Sequence, residues 1–414
     1  MARWRWTGLV VAAGLTLAGC TTTAPPGDAT DLMGGVKART VTTRPMDTAT
    51  ATGLADFAIG LLRHEATGPD NALVSPLSAE LALAMAANGA DGETLAQMER
   101  VLAGGTSIAD LNAILPAYAK SLPNTSAATF HVANSIWCSN RKGVAIVPSF
   151  LQTNADYYGA GVFSVPFDDG TVQAANAWVD KHTDGMIPKI VNEFDPATVV
   201  FLLNALAFDA AWAAPYPKET LHDGTFTSAS GQAQTAHFMG SEEFTYLDDG
   251  LATGFAKPYQ GDTYRFVALL PNEGVTMTDY LASLSGAGWL RTLASAQQGM
   301  VVASLPQFSN ESSMRLNDTL AALGMPDAFD AATADLSRMG TDNGQPLYIG
   351  EVRQKTFIDV TPLGTRAGAA TSVEAKAGAA QPETTVILDR PFVYGIVDTA
   401  SNLPLFLGVV NSVG

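Results

Sequence analysis

The stretch from Gly364 to Pro391 reads GTRAGAATSVEAKAGAAQPETTVILDRP, and its first half contains almost no bulky side chain. Because side chains alternate across a β-strand, positions 365–376 divide into two faces. One face is small and mostly apolar, and it carries Thr365, Ala367, Ala369, Thr371, Val373 and Ala375. The other face is mostly polar, and it carries Arg366, Gly368, Ala370, Ser372, Glu374 and Lys376. Such a segment makes a poor core strand, but the pattern suits a strand that adds to a sheet already built.

On both sides of this stretch the chain carries the signals of a mixed fold. Apolar residues at helical spacing dominate early, with the folded part beginning near Leu54. The nearly continuous apolar run Val199 to Phe208 is typical of a central buried strand. A helix is predicted over Met314 to Leu323, and late strands are predicted over Thr384–Leu388, Phe392–Val397 and Leu405–Val410. Regular β–α alternation is absent from the pattern, which favours an α+β fold in one domain over residues 51–414.

Charge excludes one class of partner. The 414 residues include 40 acidic and 23 basic side chains, which gives a formal net charge of −17. A chain this acidic repels phosphate backbones, so we expect no nucleic-acid partner. The apolar content of 47% is enough to bury a large core.

The first 19 residues are predicted to be a targeting segment that takes no part in the fold. Two arginines begin it, and the apolar run from Gly8 to Ala18 is too short for a secure membrane span. Its last residues, Leu17-Ala18-Gly19-Cys20, resemble a bacterial lipobox. That resemblance implies cleavage before Cys20 and lipidation of this cysteine. An ordinary signal peptide followed by an incidental cysteine is the alternative.

Residues 20–50 are rich in Thr, Pro, Ala, Gly and Asp and have no periodicity, which predicts a disordered tether. With the lipid on Cys20, we expect a bacterial lipoprotein that is anchored to a membrane of the cell envelope and faces the periplasm or the cell exterior. After cleavage the other cysteine in the sequence is Cys138, so the mature chain has no internal disulfide. Within its apolar stretch Cys138 is expected to be a small buried hydrophobe.

The sequence carries little sign of an enzyme. It contains no GxSxG, HExxH, P-loop or GxGxxG motif, and its five histidines show no metal-ligand spacing. We therefore expect neither a metal nor a cofactor. Ser139 to Lys142 matches the SxxK nucleophile motif of penicillin-binding proteins and β-lactamases. That chemistry needs the serine at the start of a helix and a KTG strand opposite, whereas Ser139 follows a strand signal and no KTG occurs.

Nine short blocks occur in an order that resembles the serpin family over about residues 50–414. They are Asn71–Ser78, Gly92–Thr94 with Met98, Asn134–Trp137, Tyr157–Ala160, Thr183 with Gly185, Asn204 with Phe208 and Trp212, Leu323–Met325 with Ala328 and Phe329, Ala334–Ser337, and Asp389–Tyr394. No single block is decisive, but so many in the right order are specific to this family.

The resemblance implies one domain with three β-sheets, eight or nine helices and an exposed reactive-centre loop over about residues 364–390. It also implies a suicide inhibitor, which acts as a monomer on serine or cysteine endopeptidases. The protease attacks the loop and forms an acyl-enzyme, and the freed loop then inserts into the main sheet as a new strand, so that deacylation stalls. The twelve residues 365–376, which we call the arm, would span about 40 Å at ~3.3 Å each. The implied hinge contains Gly364, Thr365, Ala367, Ala369 and Ala370.

The family also has a polar cluster at the centre of its main sheet. The residues that match it here are Asn71, Ser75, Ser78 and Asn204, and Trp212 matches the top of the sheet. Gln354 stands where the family usually has a histidine. Glutamine both donates and accepts hydrogen bonds but does not titrate.

Two residues of the hinge region also depart from the family pattern. Pro362 and Arg366 each stand where a glutamate is common. By the alternation above, neither side chain points into the sheet, so we expect little loss of inhibition from either.

The scissile bond is predicted within Ala377, Gly378, Ala379 and Ala380. Counting forward from Gly364 gives Gly378 as the acyl donor, whereas counting back from Pro391 gives Ala380. Small residues suit elastase-like or subtilisin-like proteases. Lys376 is the alternative for a trypsin-like protease, but cleavage there shortens the inserted arm. A non-inhibitory serpin that acts as a surface binding protein is the second functional hypothesis, and the small residues of the hinge favour inhibition over it.

Overall fold

A computed structural model describes residues 29–122, 125, 128–366 and 384–413. The α+β prediction is confirmed, since three sheets and nine α-helices are present within these residues. The helices are α1 (Thr48–Glu65), α2 (Pro76–Ala87), α3 (Gly92–Ala103), α4 (Ile108–Ser121), α5 (Pro148–Tyr157), α6 (Asp169–His182), α7 (Met277–Ser283), α8 (Gly286–Ala294) and α9 (Asn317–Leu323).

The strands alternate with these helices without a regular pattern. They are β1 (Thr30–Asp31), β2 (Ala72–Val74), β3 (Ala128–Ser139), β4 (Val144–Ile146), β5 (Gly161–Val165), β6 (Val200–Ala211), β7 (Leu221–Thr227), β8 (Ala233–Asp248), β9 (Ala252–Pro258), β10 (Tyr264–Pro271), β11 (Gln297–Pro306), β12 (Phe308–Arg315), β13 (Gly340–Asp342), β14 (Gln345–Pro346), β15 (Glu351–Val360), β16 (Gly364–Thr365), β17 (Thr384–Ile387), β18 (Phe392–Asp398) and β19 (Pro404–Val410).

The main sheet has seven strands in the order β1-β5-β3-β6-β16-β15-β12. Its central strand β6 is almost entirely buried, as its apolar run predicts. β6 and β15 are parallel and directly hydrogen-bonded over six residue pairs, from Phe201–Glu351 to Leu206–Thr356. Beyond those pairs the two strands separate, and the two-residue strand β16 lies between them.

A second sheet of nine strands packs behind the first, and a third sheet of three strands lies apart. In the second sheet the long strand β8 pairs with β7 over residues 233–239, with β11 over residues 238–246 and with β9 over residues 245–248. β17, which lies near the end of the stretch quoted first, pairs in parallel with β11. Helix α2 lies in the core and is buried on every side. Its first residue, Pro76, takes the position that tolerates proline because no backbone N–H is needed there.

The N-terminal segment departs from the predicted tether. From residue 29 onward the chain lies on the folded body, and β1 forms the edge of the main sheet by pairing with β5. Leu32 and Met33 pack against the core. The Arg39 guanidinium donates two hydrogen bonds to Asp156 of α5, at 2.6 and 2.9 Å. Helix α1 then begins at Thr48, before the predicted start near Leu54. Cys20 and the targeting segment lie outside the described residues.

Within the described residues, no helix combines the length and the apolar character that crossing a membrane requires.

Candidate functional site

The hinge begins as a strand that is already inside the main sheet. Gly364 and Thr365 pair with Ala211 and Ala210 of β6, and Thr365 also pairs with Val360 of β15. Thr365 is fully buried. The alternation predicted for this stretch therefore holds at its first position, where the small residue faces inward. The other predicted hinge residues, Ala367, Ala369 and Ala370, lie outside the described residues, as do Lys376 and the scissile residues Ala377 to Ala380.

Two buried aromatic residues, Tyr259 and Trp212, lie beside the hinge. The hydroxyl oxygens of Thr365 and Tyr259 lie 2.5 Å apart. Burial raises the pKa of the Tyr259 phenol, so this hydroxyl stays neutral at physiological pH. Trp212 stacks on Tyr259 with ring centroids 4.5 Å apart and an angle of 12° between the ring planes. The prediction placed Trp212 at this end of the sheet; no motif indicated Tyr259.

The turn before the hinge is fixed through its backbone carbonyls. The Trp212 indole donates to the Thr361 carbonyl at 2.9 Å, and its backbone N–H donates to the Leu363 carbonyl at 3.0 Å. The Tyr216 backbone N–H donates to the Pro362 carbonyl at 2.9 Å. Pro362 therefore takes part through its carbonyl, which any residue offers; that it causes little loss of inhibition stays a prediction.

A buried ion pair lies beside this aromatic group, and sequence reasoning missed it. The Lys257 ammonium is 2.8 Å from the Glu243 carboxylate, and both side chains are almost fully buried. The ammonium also lies 4.3 Å from the centroid of the Tyr216 ring. Ser241 donates a further hydrogen bond to Glu243 at 2.7 Å. The cost of removing both charges from water is offset by the ion pair itself, by the hydrogen bond from Ser241 and by the face of the Tyr216 ring.

Deeper in the main sheet, Gln354 and Asn204 join the two central strands. The Gln354 side-chain amide donates to the Asn204 side-chain oxygen at 2.6 Å and to the Ser75 carbonyl at 2.9 Å. Its oxygen accepts from the Ser75 backbone N–H at 2.9 Å. Gln354, Asn204 and Ser75 are fully buried. Glutamine thus uses both its donor and its acceptor, as predicted, and it ties β15 to β6 and to the start of α2.

The network continues to β3. The Asn204 amide donates to the Ser78 hydroxyl at 2.6 Å and to the Asn134 side-chain oxygen at 2.7 Å. Asn71, predicted to belong to this cluster, does not. It lies before β2, where its oxygen accepts from the backbone N–H groups of Asn411 and Ser412 at 2.6 and 2.9 Å. Strand β2 separates it from Ser75, so the extended chain carries it away from the network. Asn134 takes the place that the prediction gave to Asn71.

Arg366 follows the hinge strand, and its side chain lies on the opposite face of the sheet from Thr365. The guanidinium donates to the Met186 carbonyl at 3.2 Å and lies 5.5 Å from the centroid of the Phe357 ring. Burial raises the pKa of the nearby Asp209 carboxyl, and the positive charge of Arg366 opposes that rise. Sequence alternation placed this side chain on the mostly polar face of the strand and did not foresee these contacts.

These contacts make the site resist separation of β6 from β15. Neighbouring strands lie about 4.8 Å apart, so a strand placed between β6 and β15 would separate them by about 9.6 Å. Such a separation breaks the six-pair ladder and the 2.6 Å bond from Gln354 to Asn204. Both interactions therefore resist separation of β6 and β15, and the two-residue strand β16 lies at the end where these strands are already apart.

The alternative enzyme motif gains no support from the structure. Ser139 ends strand β3 and does not begin a helix, so the geometry that SxxK chemistry needs is missing. Cys138 is buried, and burial raises the pKa of its thiol to about 12. In the parts of the chain that the structure describes, no cluster of His, Cys, Asp and Glu residues is arranged to hold a metal ion.

Comparison with known proteins agrees with this geometry. The family model for Serpin (serine protease inhibitor) matches residues 52–413. The leukocyte elastase inhibitor of Bos taurus is 30% identical over 383 residues, which cover 86% of this chain and 96% of that protein. The crystal structure of the thermophilic serpin tengpin in the native state is 44% identical, with a TM-score of 0.89, and the match covers 93% of this chain and 100% of tengpin. Tengpin in the latent state is 42% identical, with a TM-score of 0.79, over 90% of this chain and 100% of tengpin. This chain belongs to the serpin family.

Proposed function

We propose that the protein is a suicide inhibitor of serine or cysteine endopeptidases, which traps the acyl-enzyme by inserting its cleaved loop between β6 and β15. The hinge carries this proposal. Gly364 and Thr365 already form a strand at the point where β6 and β15 separate. The remaining arm therefore has a defined entry to the sheet. The higher TM-score to the native than to the latent state of tengpin supports a native-like main sheet, in which β6 and β15 are still directly paired.

The length of the arm fits the strand that it would join. Strand β6 has twelve residues, and residues 365–376 also number twelve. At about 3.3 Å per residue, full insertion carries the acylated protease about 40 Å along the sheet. The inserted strand gains backbone hydrogen bonds to both neighbours, and this free energy opposes deacylation by distorting the protease.

For the target we propose an elastase-like or subtilisin-like protease that cleaves within Ala377 to Ala380. Small residues fit the narrow primary pockets of such enzymes, and a relative named leukocyte elastase inhibitor supports this class. Mass spectrometry of the trapped complex locates the bond. A peptide that ends at Lys376, released from a stable complex, would overturn this choice in favour of a trypsin-like target.

We further propose that the monomer is held at the envelope membrane by a lipid on Cys20. Its motif, Leu17-Ala18-Gly19-Cys20, supports this anchor. Replacing Cys20 with serine should release the protein from the membrane fraction into the soluble envelope fraction. Equal retention of the Cys20→Ser variant and the wild type would contradict lipid anchoring.

The deciding experiment incubates the protein with elastases and subtilisins and then runs a denaturing gel. Inhibition predicts a covalent band with the summed mass of the inhibitor's larger fragment and the protease. The matched control uses the same proteases with the catalytic serine replaced by alanine, which cannot form an acyl bond. If no protease of the panel gives the band, the second hypothesis, a non-inhibitory serpin that binds partners at the cell surface, replaces this one.

A further inference from the structure

Arg366 adopts an unusual backbone conformation directly after the hinge strand. Its φ of 50° lies in the left-handed region, which non-glycine residues rarely occupy. Its backbone N–H still donates to the Asp359 carbonyl at 2.8 Å, so pairing with β15 continues up to this residue. A strand requires φ near −120°, and therefore the arm cannot continue into the sheet while Arg366 keeps this conformation.

The Arg366 side chain connects two elements on the same face of the sheet. Its guanidinium donates to the Met186 carbonyl at 3.2 Å, in the turn that follows α6. It also lies over the Phe357 ring of β15, 5.5 Å from the centroid. The turn is itself fixed, because the Ile187 N–H donates to the Thr183 hydroxyl at 3.1 Å. Asp209 of β6 places a carboxylate close enough to attract the guanidinium.

We infer that Arg366 is a positioning residue that holds the hinge with Thr365 inserted and opposes the entry of further residues into the sheet. The inference rests on the proposed insertion mechanism. For the residues after Arg366 to enter fully, β15 must separate from β6 from the Leu206–Thr356 pair onward. Arg366 must then leave the left-handed region and give up Met186, Phe357 or both. Its contacts therefore raise the barrier to insertion in the uncut protein.

The test measures unprovoked insertion, in which uncut protein is warmed without protease. Conversion is followed by the loss of loop cleavage and the appearance of a form with a higher thermal unfolding midpoint. Arg366→Ala should convert about tenfold faster than wild type, the effect expected from the loss of one charge-assisted hydrogen bond. Arg366→Lys keeps the charge but not the planar group that lies over Phe357, so its rate should fall between the two.

Arg353→Ala is the matched control. This arginine also belongs to β15, where its guanidinium bonds Glu351 at 2.6 Å, away from the hinge. The Arg353→Ala variant should convert at the wild-type rate. The midpoint of denaturant unfolding is measured in parallel, because an arginine with only a structural role would change that midpoint without selectively changing the conversion rate.

Two results overturn the inference and can be told apart. If Arg366→Ala and Arg353→Ala convert at the same rate, Arg366 does not hold the hinge, whereas the insertion mechanism stands. If neither warming nor loop cleavage produces a form with a higher midpoint in any variant, insertion itself is wrong, and the role of Arg366 falls with it.

Discussion

Replacing Thr365 with arginine should turn the inhibitor into a substrate of its target protease. Thr365 is fully buried, opposite Ala210 and Val360, and its hydroxyl lies 2.5 Å from that of Tyr259. Taking an arginine charge into this site carries an effective penalty of several kcal/mol. With a penalty of about 4 kcal/mol, insertion slows by about a thousandfold, because each 1.4 kcal/mol corresponds to a factor of ten. Deacylation then outruns insertion, and the cleaved inhibitor leaves the protease.

The assay is the stoichiometry of inhibition together with the denaturing gel. Wild type should need about one inhibitor per protease, whereas Thr365→Arg should need hundreds and give cleaved inhibitor without complex, in line with the thousandfold slower insertion. Thr365→Ser is the control, because it keeps the hydroxyl that meets Tyr259 and removes one methyl group. If Thr365→Arg is cleaved at the same bond and still forms as much complex as wild type, the buried hinge does not initiate insertion.

Four further predictions rest on contacts described above. Gln354→Leu leaves the Ser75 N–H and the Asn204 side-chain oxygen without partners, so the free energy of unfolding should fall by about 4 kcal/mol in denaturant titrations. In wild type, insertion should keep the same rate from about pH 7 to 5.5, because glutamine does not titrate as a histidine there would; a sharp acceleration that Gln354→Leu reduces would contradict this. Hydrogen bonds from Arg39 lower the pKa of Asp156 from 3.8 to about 2. Their stabilisation is therefore present above about pH 4 and lost as the pH falls through about 2, and acid unfolding of an Arg39→Ala variant should lack this component. Lys257→Met leaves the Glu243 charge buried and unpaired, so it should lower the thermal midpoint through a loss of about 3–5 kcal/mol; an unchanged midpoint would mean that the pair is dispensable.

The fold was largely predictable, because its central elements are apolar and have a clear period. The buried strand β6 agrees with its apolar run, and α+β was correct. Strand β12 was not predicted, because it reads FSNESSMR and only alternate residues are buried. The predicted helix over Met314–Leu323 therefore began too early: Met314 and Arg315 end β12, and α9 begins at Asn317. A polar strand at the edge of a sheet leaves little hydrophobic signal in the sequence.

The site was predictable only where the regular period of a strand fixed the position of a side chain. Strand periodicity predicted which side chains of the hinge face into the sheet and which face away, and it gave Thr365 a buried position. Contacts between distant segments left no such signal. The pairing of Lys257 with Glu243, the stacking of Tyr259 on Trp212 and the contact of Arg366 with Met186 depend on three-dimensional packing.

The N-terminal segment shows the same limit. Its composition is that of a tether, yet from residue 29 onward it lies on the body. Leu32, Met33 and Arg39 supply the contacts. A few specific contacts thus order a segment whose average composition indicates disorder.

The thermal unfolding midpoint of loop-cleaved protein tests insertion most directly. A protease that cuts within residues 377–380 is used in catalytic amount, and the midpoint is measured before and after cleavage. An inserted arm adds about ten backbone hydrogen bonds at about 1 kcal/mol each, so the midpoint should rise by about 10 °C or more. A midpoint that stays the same or falls after complete cleavage would show that the arm remains outside the sheet.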